Sequence, residues 1–255
     1  MAEPMLRIER LAVSGRLAPF DAELAAGRLV HLIGPNGAGK STLLLRLAGL
    51  LEGHGEAWLE GQALLAMSSA QQARRRACLV QQKLPTGLMP VFAYLGLYAP
   101  RGASAAALDQ QLASLSARLS LTDKLSRPLS QLSGGEWQRV RLAAVLLQIW
   151  PTLNPSARLL LLDEPMSGLD IRQQAALDGL LAELCGHGIT VIASAHDLNH
   201  TLFHADEVWM VGQGRVLAQG PTSTVMQLTA LSDLFGVPFT RARGGDRDWL
   251  YYQSC

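Results

Sequence analysis

Apolar positions along the chain come in short blocks, some alternating, some continuous and some at helical spacing. Residues 6–13 partly alternate, and Ser14-Gly15 and Ala26-Gly27 carry turn chemistry, so 5–33 predicts two or three strands. The last is a short buried strand, Leu29-Val-His-Leu-Ile33, followed by a Gly-rich stretch and a helix over 42–49. Residues 56–61 read as a strand, 68–76 as a polar helix and 77–81 as a second short strand. Residues 83–90 are irregular and hold two prolines, Pro85 and Pro90. From 91 to 125 the pattern turns helical: Leu108, Leu112, Leu115 and Leu119 share a face within a predicted helix over 103–121. A stronger helix is predicted over 136–149. The unbroken apolar run Leu159–Leu162 predicts a central parallel strand buried on both faces, and 189–193 reads as a second buried strand. Residues 208–220 predict a hairpin about Gly212–Gly214, and 221–255 a C-terminal extension with a helix or two and a short strand near 249–252. The class is therefore α/β, with a helical subdomain at about 84–147 inserted into the sheet-bearing core.

Composition changes this picture little. Net charge is +1 and 17% of residues are charged, so no strong field points to a nucleic-acid partner. Half the residues are hydrophobic, yet no run reaches the 18 or so apolar residues of a membrane span. The first residues lack the basic and apolar regions of a signal peptide. Cys78, Cys185 and Cys255 are scattered without metal-ligand spacing, which reads as three free thiols in a reducing cytosol.

The chemistry is carried by the stretch after the Leu29–Ile33 strand: Gly34-Pro35-Asn36-Gly37-Ala38-Gly39-Lys40-Ser41-Thr42. It fits the phosphate-loop pattern G-x-x-x-x-G-K-[ST] between a strand and a helix. Glycines let the backbone close on phosphate oxygens, and the helix N-terminus supplies N–H donors and a favourable dipole. Lys40 is expected to reach the β- and γ-phosphates and Ser41 to bind Mg²⁺, which makes ATP and Mg²⁺ the expected ligands. Ser133-Gly134-Gly135 opens a second helix with an acid, Glu136, in its first turn, a second potential anion site. Asp163 and Glu164 end the Leu159–Leu162 run, at the strand end where ligands of open α/β sheets bind. Ser194-Ala-His196-Asp197 ends the next buried strand in the same way, which sets His196 apart. His31, inside a strand, reads as structural; His187, His200 and His204 have no such placement.

In order, Gly34–Thr42, Gln81, Leu132-Ser-Gly-Gly-Glu136, Asp163-Glu164-Pro165, Ser167-Gly-Leu-Asp170 and His196 resemble the motifs of the ATP-binding subunits of ATP-binding cassette (ABC) transporters, over about residues 6–220. The resemblance implies a P-loop NTPase core, a mixed parallel sheet with helices on both faces, and an N-terminal antiparallel β subdomain. It implies a head-to-tail homodimer closing two ATPs, each bound by one subunit's loop and by Ser133, Gly134 and Gly135 of the opposite copy. It assigns Mg²⁺ to Ser41, Gln81 and Asp163, with Gln82 an alternative to Gln81. It makes Glu164 the group that polarises the attacking water, His196 the γ-phosphate contact and Asp170 an organiser of the dimer contact. The aromatic residue that usually stacks on adenine is missing: the region reads Val13-Ser-Gly-Arg16, leaving Arg16 to stack through its guanidinium plane.

Within the family, three stretches resemble the ATPases of cobalamin importers of Gram-negative bacteria: residues 135–144, the loop 149–157 and residues 194–201. That implies two copies of a separate transmembrane permease, a periplasmic cobalamin-binding protein, and a peripheral place on the cytoplasmic face of the inner membrane. Iron-siderophore or haem import, and a cluster-assembly ATPase, are the alternatives. Docking of the permease is expected near 82–94, on Leu84, Leu88, Met89, Val91 and Phe92.

Overall fold

A computed structural model describes residues 4–80, 87–245 and 247–252. In chain order the strands and helices are β1 (Leu6–Val13), β2 (Leu17–Leu24), β3 (Leu29–Ile33), α1 (Lys40–Leu47), β4 (His54–Leu59), β5 (Gln62–Ala63), α2 (Ser69–Arg75) and β6 (Arg76–Leu79). Then come α3 (Val91–Gly96), α4 (Ala105–Arg118), α5 (Gly134–Ile149), β7 (Leu159–Leu162), α6 (Ile171–Gly186), β8 (Thr190–Ser194) and α7 (Leu198–His204). The chain ends with β9 (Glu207–Gly212), β10 (Arg215–Pro221), α8 (Thr222–Val225), α9 (Leu228–Phe235), β11 (Phe239–Gly244) and β12 (Arg247–Tyr252).

The main sheet runs β10-β9-β3-β8-β7-β6; all its pairings are parallel except β9 with β10. An antiparallel sheet, β2-β1-β4-β5, is built from the N-terminal strands. Every residue of β3, β7 and β8 is buried. Their period of two divides most of these residues between two cores. Leu160, Leu162, Val191 and Ala193 join α4, α5 and α6 on one face; Val30, Leu32, Leu159, Leu161 and Ile192 join α1 and the antiparallel sheet on the other. Each buried leucine contributes about 2 kcal/mol of apolar transfer, and a one-residue slip would put each in the wrong core.

The predicted helical run over 91–125 is broken into α3 and α4 around Pro100 and Gly102, which has φ +91°. Helix α5 begins two residues earlier than its apolar pattern suggested, because Ser133 and Glu136 close a capping box around Gly134 and Gly135. Most of its residues are buried, and they share a core with β7 and β8. At the C-terminus β12 covers the strand expected near 249–252, but its partner β11 was not foreseen. Residues Arg241 to Gly244 are exposed and carry no apolar alternation.

Candidate functional site

Because β3, β7 and β8 are adjacent and parallel, their carboxyl ends open on one edge of the sheet. The phosphate loop leaves β3, Asp163-Glu164 leaves β7 and His196 follows β8, so three segments distant in sequence converge by topology alone.

The loop is held by its backbone. Gly34 has φ +149°, and a Cβ there would lie 1.9 Å from the Val211 carbonyl oxygen, so only glycine fits against β9. Helix α1 starts from Gly39 with no side-chain cap and no acidic residue in its first turn. Helices α2, α5 and α6, in contrast, each carry a complete capping box. The first-turn N–H groups of α1 are thus left to an anion. Lys40 is 6% exposed, and its Nζ donates to the carbonyls of Gly34 at 2.6 Å and Pro35 at 3.1 Å, arching over the loop. Burial lowers its ammonium below the usual lysine range, and the charges of Glu164 and Asp163 oppose that shift. An uncapped helix start, close-packed glycines and a buried cation fit a triphosphate.

A cleft of about 790 Å³ lies over this loop. Asn36 to Thr42 form its floor, Glu164 one wall, and Val13, Ser14, Arg16 and His54 a rim. Among the described residues no Phe, Tyr or Trp lines it; Arg16 and the imidazole of His54 do.

Asp163 is 7% exposed, and its Oδ1 accepts a hydrogen bond from Ser194 Oγ at 2.8 Å. The Ser194 oxygen also accepts from the Glu164 N–H at 2.7 Å. One buried hydroxyl at the end of β8 thus fixes both acidic residues at the end of β7. Glu164 has φ +49°, the left-handed region, which a non-glycine residue holds only where its surroundings over-determine it. Gln138 Nε2 of α5 reaches the carbonyls of Glu164 at 3.4 Å and Pro165 at 3.3 Å from the other side. His196 Nε2 meets Glu164 Oε1 at 2.8 Å. The carboxylate accepts, which places the ring proton on Nε2.

The sequence-derived site is therefore brought together in its central part: residues 36–42 and Glu164 share the cleft, and His196 is bonded to Glu164. Ser133, Gly134 and Gly135 do not line that cleft; they cap α5, and a Cβ on Gly135 would lie 2.8 Å from the Gly168 carbonyl oxygen. Asp170 Oδ1 accepts from the Gln173 N–H at 2.8 Å as the cap of α6. Gln81, Gln82 and Leu84 lie outside the described residues. Val91 does not belong to an exposed docking surface: it is fully buried, as the core-facing side of α3, whereas Leu88, Met89 and Phe92 are exposed. Ser194 and Gln138 were assigned no role from sequence. The signal for Ser194 was present, a polar residue directly after the apolar Val191-Ile-Ala193 at the end of its strand.

His31 is structural as expected: it is 3% exposed and pairs through Nδ1 with Thr201 Oγ1 at 3.0 Å. Burial pushes its imidazole down to about 3, so it is neutral.

Comparison with known proteins agrees with this geometry. Residues 17–167 match the family described as ABC transporter. The vitamin B12 import ATP-binding protein BtuD of Pectobacterium atrosepticum is 54% identical over 250 residues, 98% of this chain and 100% of that protein. Its counterpart of the same name in Yersinia enterocolitica is 55% identical over 246 residues, 96% of this chain and 97% of that protein. Among solved structures, the ATP binding subunit of an ABC transporter superposes with a TM-score of 0.77 at 25% identity, over 92% of this chain and 95% of that one. With its phosphate loop, paired acids and histidine on one sheet edge, the chain belongs to the ABC transporter family, among its ATP-binding subunits.

Proposed function

We propose that this chain hydrolyses ATP to power import of cobalamin through a separate membrane permease. The observation that carries the hydrolytic part is the His196–Glu164 contact of 2.8 Å on the wall of the phosphate-loop cleft. Cargo is supported by relatives named for vitamin B12 import that match this chain at 54% and 55% identity over almost its whole length.

The loop amides and Lys40 hold the β- and γ-phosphates. Ser41 and Asp163, joined by Gln81, would hold Mg²⁺, which would supply positive charge to offset the charge that develops on the transferred phosphoryl group. Glu164 orients the attacking water and draws on its proton; His196 steadies the Glu164 carboxylate and contacts the γ-phosphate. Bond formation at phosphorus and departure of ADP need little covalent help, so rate follows from placement. Ser133, Gly134 and Gly135 serve the nucleotide of the opposite copy, and Asp170 steadies the α6 end at that contact. Exposed Leu88, Met89 and Phe92 offer an apolar seat for the permease, one on each of two copies. No helix among the described residues is long and apolar enough to cross a membrane, which fits a peripheral subunit on the inner membrane's cytoplasmic face, fed from a periplasmic binding protein.

The test is uptake of labelled cobalamin in a host deleted for this gene and complemented with wild type or Glu164→Gln. Uptake that returns only with wild type supports the reading. Uptake that survives deletion refutes the cargo, and siderophore and haem uptake are then measured.

A further inference from the structure

Helix α7 carries His200 and His204 four residues apart, so both rings project from one face. They stack with centroids 4.5 Å apart and an interplanar angle of 20°. Both Nε2 atoms point at one carboxylate on the neighbouring helix α6, Asp178. His200 Nε2 lies 2.9 Å from Oδ1 and 3.1 Å from Oδ2, and His204 Nε2 lies 3.8 Å from Oδ2. The three donor groups fall within 4.8 Å of one another. His31, from β3, backs the cluster with its ring parallel to His200, 5.7 Å away at 7°.

We propose that Asp178, His200 and His204 form a binding site for a divalent transition-metal ion of the zinc type, separate from the Mg²⁺ of nucleotide chemistry. Two imidazoles and a carboxylate are borderline ligands that suit zinc, nickel or copper and not magnesium, which takes oxygen donors. An ion bound tetrahedrally at about 2.0–2.2 Å holds neighbouring ligand atoms about 3.3 Å apart. The observed 2.9 and 3.8 Å bracket that spacing, so a small turn of the His204 ring completes the set. His204 Nε2 lies beyond hydrogen-bond distance of Asp178 but near enough for one ion to bridge the two. Side-chain exposure rises from 15% at Asp178 and 17% at His200 to 41% at His204, which gives an entry path and leaves the fourth position to water. Because α7 starts from Asp197, directly after His196, an ion here ties the helix that follows the catalytic histidine to α6.

The experiment titrates the purified full chain, freed of metal with a chelator, with Zn²⁺ alone by calorimetry. His204→Gln and Asp178→Asn are compared with wild type, and Zn²⁺-dependent amide exchange is followed in residues 198–204. His204→Gln keeps the half-buried His200–Asp178 pair, so its melting temperature without zinc is expected to stay near wild type. Wild type is expected to bind one Zn²⁺ that slows exchange in α7, with binding at least tenfold weaker in both variants. No saturable binding, or binding of equal strength in wild type and both variants, overturns the proposal.

Discussion

Replacing Ser194 with alanine removes one buried oxygen and two hydrogen bonds, and its cost can be worked from the geometry. The Ser194 hydroxyl donates to the Asp163 carboxylate at 2.8 Å and accepts from the Glu164 N–H at 2.7 Å. Loss of a bond to a charged group costs about 1.5–3 kcal/mol, and a buried N–H left without an acceptor about 1–3 kcal/mol. The small cavity of about 240 Å³ that touches both Ser194 and Glu164 is large enough for water to satisfy the N–H in part. The net expectation is therefore near the lower end, about 2–3 kcal/mol, which urea unfolding would show as a midpoint lowered by about 1 M. Function should suffer in a specific way. Glu164 sits at φ +49°, and without its backbone tether the carboxylate is no longer held in that conformation. Turnover should fall about tenfold or more, while ATP affinity, set by the loop of residues 34–42, stays within about threefold. Wild-type stability together with wild-type turnover in Ser194→Ala would refute the claim that this hydroxyl fixes the acidic pair.

Glu164→Gln should keep ATP binding and lower hydrolysis by about a hundred- to ten-thousandfold, with an ATP-dependent dimer seen by size exclusion; near-normal turnover removes Glu164 from its role. With Arg16 and no Phe, Tyr or Trp among the described residues of the cleft rim, ATP and GTP are expected to bind comparably, and a hundredfold ATP preference in a competition assay contradicts this. Burial pushes the thiols of Cys78 and Cys185 up to about 12. Thiolate is scarce at pH 8, so iodoacetamide should label these two sites on the order of a hundredfold more slowly in native than in unfolded protein. Peptide mass spectrometry reads this site by site, and equal labelling rates count against it.

The centre of the main sheet was legible because β7 and β8 are buried on both faces and so show runs of apolar residues, as at Leu159–Leu162 and Val191–Ala193. The phosphate loop was legible because its pattern is local: glycines, a lysine and a serine within residues 34–42, and a helix start left without a side-chain cap. What joins Glu164 to Ser194, or His200 to Asp178, is strand and helix adjacency across 30 and 22 positions, which no local pattern encodes. The edge strand β11 was illegible for a different reason: its exposed Arg241-Ala-Arg-Gly244 stretch lacks the apolar alternation by which strands are recognised.

The position of β3 has a consequence for how the protein comes into being. Both neighbours of this strand, β8 and β9, are made from the last third of the chain, and β9 ends only at Gly212. On a ribosome adding about 5–20 residues per second, the loop segment has emerged long before the strands that brace it have been synthesised. Gly34 cannot rest on Val211 until Val211 exists, so a nascent chain carries the complete loop sequence without a nucleotide site. Binding of ATP then begins only once most of the chain has left the tunnel, and it reports the completion of the sheet.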